Sequence, residues 1–156
     1  MLKLRKNKKG FTLVELIVVI AIMAVLAGTV AGVTVSQLNK QTDNANKTQA
    51  KKVADYIASL IIEGDIYIST TTGDNNGKFV TAVTSGNATT EKKLEAADLK
   101  TEVDKEFPGV IAENAGKGNI TLAVAATTGD SITVTYTHKG SGGPTVYTID
   151  KEGVIK

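Results

Sequence analysis

From Leu16 to Val35 the chain carries neither a charge nor a proline. That is the length a helix needs to cross the hydrocarbon core of a bilayer, about 20 residues. One carboxylate, Glu15, stands at the mouth of the run, after Lys8-Lys9-Gly10-Phe11-Thr12-Leu13-Val14. A carboxylate is among the costliest residues to place in a membrane helix, roughly 2.5 kcal/mol or more at its centre. Glu15 therefore needs either the interface or a partner. The five basic residues upstream, Lys3, Arg5, Lys6, Lys8 and Lys9, predict that the leading segment stays cytoplasmic.

Two plainer architectures share some of these features. A secretory signal peptide has a basic start, but its apolar core is only about 7–15 residues and ends in a small-residue cut. Val25-Leu26-Ala27 and Thr29-Val30-Ala31 offer such cuts. Against this reading, Glu15 interrupts the start of the core, and the helical pattern continues past either cut. A plain single-span anchor explains the length and the basic leader. It does not explain a glycine, a phenylalanine and a glutamate in these positions.

Gly10-Phe11-Thr12-Leu13-Val14-Glu15 behind a basic leader resembles the start of type IV pilins and their pseudopilin relatives. The resemblance is specific over Lys8 to about Leu38 and weak beyond. It implies that a membrane prepilin peptidase cuts between Gly10 and Phe11, and that the new α-amine of Phe11 is methylated. It also implies that Glu15 meets the Phe11 amine of a neighbouring subunit during assembly. The physics agrees, because two unpaired charges in a low-dielectric bundle are each costly and pairing offsets both. Such a pair favours one axial stagger and so sets register. Many members of the family carry a proline in the second half of the apolar helix, and a disulfide near the C-terminus. This chain has Gly28 and Gly32 in place of the proline, and no cysteine. The two glycines cost helix stability by about 1 kcal/mol each relative to alanine. They form a Gly-x-x-x-Gly pattern, which permits close helix approach in membranes and otherwise reads as a small-residue patch.

Removing residues 1–10 takes away the five basic residues, so a formal charge of +2 becomes −3 before the new amine is counted. The only arginine, Arg5, leaves with the leader. A mature chain without arginine is poorly equipped for base or phosphate readout, so no specific nucleic acid is expected as a partner. Without cysteine there are no disulfides, thiolate metal sites or cysteine nucleophiles. Sparse aromatics and no tryptophan predict a small aliphatic core.

The fold expected is α+β: a long N-terminal helix, apolar then amphipathic, packed on a small antiparallel β-sheet head. Residues 1–10 form the leader. The helix occupies 11–63, with a transmembrane or filament-core part over about 11–38. The head occupies 64–156, with a connecting αβ segment over about 64–117 and the sheet over about 118–156. Apolar marks at Ala50, Val53, Ala54, Ile57, Leu60 and Ile61 fall three or four apart, a stripe suited to packing on a sheet. Gly64 stops the helix. Asp65 to Thr71 reads as a strand, Gly73 to Gly77 as a turn, and Lys78 to Thr84 as the returning strand of a hairpin. Ser85 to Thr90 reads as loop, with Thr89 or Thr90 capping a helix over about Glu91 to Phe107 that ends at Pro108-Gly109. Asn119 to Ala126, Ser131 to His138 and Thr145 to Asp150 are strands, parted by Gly129-Asp130 and by Gly140 to Pro144. Val154 and Ile155 add a short end strand. The connections are too short for parallel crossovers, so a meander follows.

Few residues in the head suggest chemistry. His138 is the only histidine, and an exposed strand-end position is its expected place. Asp74-Asn75-Asn76-Gly77 lacks the alternating ligands and closing glutamate of a calcium loop and reads as a turn. Asn87-Ala88-Thr89 and Asn119-Ile120-Thr121 fit a glycan acceptor pattern, which means little in a bacterial chain. The acidic and lysine residues from Glu91 to Glu106 read as a solvated face. No catalytic residue, cofactor or metal is expected, and the chain is not expected to be an enzyme. The sequence points to a structural subunit of a type IV pilus, a homo-oligomeric helical filament serving adhesion, aggregation, biofilm growth or twitching motility. Its expected partners are the prepilin peptidase, the assembly platform with its ATPase, and the cytoplasmic membrane before export to the surface. The alternatives are a pseudopilin of a type II secretion or DNA-uptake system and, further off, an exported binding module on an ordinary signal peptide.

Overall fold

The helix demanded by the apolar run is present. The computed structural model describes residues 10–125 and 131–156. In it α1 spans Leu13–Glu63, two residues later at its start than expected, because Thr12 caps it. Leader residues 1–9 and the Gly129-Asp130 turn lie outside the described residues. The chain divides into a first unit ending at Leu38 and a second from Asn39 to Lys156.

In the first unit every described residue is exposed. Leu16, Ile20, Met23 and Leu26 all show more than half of their surface. No described residue buries them. All eight buried residues of α1 lie in the second unit, from Asp43 to Ile61.

The second unit is built on the stripe read from the sequence. Ala50, Val53, Ala54 and Ile57 are fully buried, with Leu60 and Ile61 close to it. Two three-stranded antiparallel sheets follow, β1-β2-β3 and β4-β5-β6. The first contains β1 (Ile66–Ile68), β2 (Phe79–Ser85) and β3 (Ala88–Lys93). Helix α2 (Ala96–Glu106) leads to β4 (Ile120–Val124), β5 (Ser131–Tyr136) and β6 (Thr145–Asp150). The second sheet is the expected meander, and β5 buries alternate residues Ile132, Val134 and Tyr136. Phe79, Leu99, Val103 and Ile149 complete one core with the α1 stripe.

The segment between helix and final sheet departs from expectation in one place. The expected loop at 85–90 is the tip of a β2–β3 hairpin, with Ser85 opposite Ala88. Gly86 has φ 64° and fills the first central position of a two-residue turn, where glycine suits the strand twist. Glu91, Lys92 and Lys93 therefore belong to a strand, and neither Thr89 nor Thr90 caps a helix. The cap residue of α2 is Glu95, with no side-chain cap bond. Threonines and lysines alternate weakly between faces here, so cross-strand pairing decided what local propensity left open. On α2, Leu99 and Val103 turn inward and Ala97 is exposed.

The C-terminus closes back on the sheet. Ile155 bridges Ile149, and the Asp150 carboxylate accepts from Glu152 N at 3.1 Å and Val154 N at 2.9 Å. Gly153 in this turn has φ 77°, and a Cβ there would meet the Ala58 carbonyl oxygen at 3.1 Å and Ile62 at 3.0 Å. Gly153→Ala combines a left-handed backbone with a clash against helix backbone. It is expected to destabilise the second unit by about 1–3 kcal/mol, read from thermal unfolding of the full chain in detergent. An unchanged midpoint would show that the turn swings away from α1.

Candidate functional site

The residues singled out by sequence gather at the start of α1. Gly10, Phe11 and Thr12 precede the first helical turn. Thr12 Oγ1 accepts from the Glu15 amide at 3.2 Å. Glu15 Oε2 in turn accepts from the Thr12 amide and from the Thr12 hydroxyl, both at 2.8 Å. This is a reciprocal capping box, which satisfies orphan amides at the helix start. It also places a carboxylate where the helix dipole favours one. Its signature, Thr-x-x-Glu, stands in the sequence at Thr12 to Glu15 and was hidden behind the membrane reading of Glu15. The carboxylate thus has a partner within its own chain before any amine is created at Phe11. The bond between Gly10 and Phe11 lies outside the helix, and Phe11 is 91% exposed.

Further along, Gly28 and Gly32 are exposed, with nothing within 4 Å of where a Cβ would stand. Thr29 Oγ1 donates to the Leu26 carbonyl at 2.9 Å and Thr34 Oγ1 to the Val30 carbonyl at 2.8 Å. Hydroxyls bonded back onto the preceding turn hide their polarity in an apolar helix and slightly weaken its ladder. Among the described residues α1 is the one helix long and apolar enough to cross a membrane.

The family model for the prokaryotic N-terminal methylation motif matches residues 5–31. This match supports a type IV pilin-like prepilin. No curated protein and no solved structure matches it. The motif implies processing by prepilin peptidase and entry into a pilus or secretion-system assembly in general. The leader and the apolar helix fit membrane anchoring before assembly. The match ends at residue 31, so the second unit is described by its own geometry.

That geometry contains one polar site with no local sequence signal. Asp43 is buried on α1, among the polar residues that follow the apolar run. Its Oδ1 accepts from the Tyr136 hydroxyl at 2.6 Å and from Lys139 N at 2.8 Å, and its Oδ2 from Gly140 N at 3.2 Å. The Tyr136 bond, then the Lys139 amide, hold the Asp43 carboxyl below its usual range. Burial, then the same bond, push the Tyr136 hydroxyl up. His138 is half-buried, not an exposed strand-end residue. Its Nε2 lies 2.8 Å from Thr145 Oγ1 and its ring packs beside Tyr136. Asp43 thus fixes the β5–β6 connection on α1 and offers no open face to a substrate. A second carboxylate, Glu91, binds Ser69 and Thr71 and ties β3 to the β1–β2 connection. The Asp74–Gly77 segment is a turn in which Asn76 N donates to the Gly73 carbonyl at 3.2 Å. No group of three or more metal-capable side chains exists among the described residues.

Two outcomes follow. Glutamine closes a capping box as glutamate does. Glu15→Gln is therefore expected to leave amide exchange in the first turn of α1 unchanged in micelles, whereas Glu15→Ala and Thr12→Ala speed it. Equal exchange in all three would remove the box. The Asp43 carboxyl is lowered in the folded chain, so its contribution is complete above about pH 4, the unfolded value. It is lost as pH falls through the folded value. Asp43→Asn is expected to flatten the acid limb of the stability profile below pH 4, and an unaltered limb would assign that limb to other acids.

Proposed function

We propose that the mature chain, Phe11 to Lys156, is a structural subunit of a type IV pilus filament with no catalytic chemistry of its own. The observation that carries this reading is the methylation-motif match at 5–31 on a helix whose apolar half no described residue covers. Prepilin peptidase cuts between Gly10 and Phe11, and the Phe11 amine is methylated. The subunit waits in the cytoplasmic membrane with its second unit outside. The assembly platform and its ATPase then lift it into the fibre.

On this reading lipid contact is exchanged for helix contact. Both are apolar, so burial gives little net direction, and specific contacts choose the register. Glu15 leaves its bond to Thr12 and pairs with the Phe11 amine of a neighbour. Gly28 and Gly32 let neighbouring helices approach closely. The large Thr- and Gly-rich head supports a pilus subunit over a pseudopilin. The fibre surface built from such heads serves adhesion, aggregation, biofilm growth or twitching motility.

Mass spectrometry of protein sheared from cells tests the processing step, with N-methylated Phe11 as the expected first residue. A chain starting near Gly28 would mean ordinary secretion and end the filament reading. Glu15→Gln separates the two roles of that side chain. It keeps the capping box and loses the charge, so cleavage is expected at the normal rate with at least tenfold less filament. Normal filament yield from this variant would remove Glu15 from register.

A further inference from the structure

The charges of α1 beyond Leu38 are sorted along its length. Lys40, Lys47 and Lys51 recur at spacings of seven and four, which places them in one row on the helix surface, and Lys52 flanks them. All four are exposed. The one acid in that stretch, Asp43, is turned inward and held by Tyr136, Lys139 and Gly140, so it leaves the outer row uncompensated. After Lys52 the order reverses. Asp55, Glu63 and Asp65 follow with no basic residue among them. Glu106 of α2 comes beside this part of α1, because the ring of Phe107, next to it, meets the ring of Tyr56 with centroids 5.7 Å apart; Lys105 there is paired with Glu102.

Internal ion pairs do not use this charge up. Lys51 pairs with Asp55 at 3.1 Å, and Lys105 with Glu102 at 2.5 Å. Among the described residues Lys40, Lys47, Lys52, Glu63, Asp65 and Glu106 form no ion pair. The arrangement also opposes the helix dipole, which favours bases near the C-terminal end. The last turn of α1 holds Glu63 and no base. A row of like charges and an acid at the wrong end both work against the isolated helix. They suit a partner that supplies the opposite sign, and the chain carries both signs itself.

We propose that the lysine row Lys40, Lys47, Lys51 and Lys52 of one mature subunit docks on the acidic end, Glu63, Asp65 and Glu106, of a second copy of this chain. This rests on the filament reading and adds to it the surface that the heads use. Lys47 and Lys51 sit roughly 24 and 18 Å before Glu63, so a displacement of about 20 Å along parallel helices sets them on it and brings Lys40 level with Asp55 of the second copy, at about 1.5 Å per residue. Unstaggered parallel copies would set lysine against lysine. The contact made through Glu15 and Phe11 spans four residues, roughly 6 Å, so the lysine contact joins a copy several steps further along the fibre. It forms in water, where exposed charges are screened within about 8 Å at physiological ionic strength. Each pair is weak, and the contact repeats on every subunit.

Charge reversal tests the docking. Lys40→Glu with Lys47→Glu is expected to lower sheared filament at least tenfold while leader-processed subunit in the membrane stays at its normal level. Glu63→Lys with Asp65→Lys should do the same. All four changes together should restore filament to within about threefold of wild type, and Lys117→Glu, an exposed lysine elsewhere, should have no effect. Normal filament from the lysine-reversed chain, or no recovery in the fourfold variant, overturns the docking. Absence of filament from the processed wild-type chain would instead overturn the filament reading.

Discussion

An apolar helix half that no described residue covers is the constraint on which the rest of this structure depends. Residues 13 to 38 expose Leu, Ile, Val and Met on every side, a surface far beyond the few hundred Å² of contiguous apolar patch that a soluble monomer tolerates. Such a surface suits lipid or the apolar faces of other helices. Both surroundings are apolar, so neither is strongly preferred on burial alone. On the proposed filament reading, that near-balance leaves the choice of register to a few polar contacts, with Glu15 proposed as one of them. Its capping bonds to Thr12 satisfy the carboxylate within its own chain.

Past Leu38 the same helix obeys a different rule. One face is covered by two antiparallel sheets and α2, and the opposite face is polar. The core is aliphatic, with Tyr136 and Phe79 as its largest buried side chains. Asp43 is matched by three donors and Glu91 by two hydroxyls, as buried charge requires. Asp104, by contrast, pairs with Lys100 through one oxygen and leaves the other, buried Oδ1 without a partner among the described residues. With no disulfide in the chain, packing and these polar ties hold the second unit together.

What could be read from the residues tracks the range of the interactions. The apolar run, the Ala50–Ile61 stripe and the Thr145–Asp150 strand are written in local periodicity, and the structure reproduces them closely. The processing motif was legible because its residues are contiguous. The β2–β3 hairpin was missed because Ser85 to Thr90 is small and polar on both faces, so no alternation marks it. Pairing with Thr81 to Ser85 makes it a strand. The helix was then placed too early, at residues whose lysines and glutamates suit either state. The Thr12–Glu15 box was visible as a pattern, and a single explanation for Glu15 concealed it. Asp43 was not legible, because an aspartate in a polar run gives no hint of a tyrosine and two amides distant in sequence.

The distance of those partners bears on how the protein is made. Asp43 is separated from Tyr136, Lys139 and Gly140 by 93, 96 and 97 residues. Synthesis proceeds from the N-terminus at about 5–20 residues per second. Asp43 is therefore made seconds before its donors Tyr136, Lys139 and Gly140, and the β1–β3 sheet at residues 66 to 93 is available to α1 before them. The aspartate is tied down only once the β5–β6 connection, 93 or more residues further on, has been made.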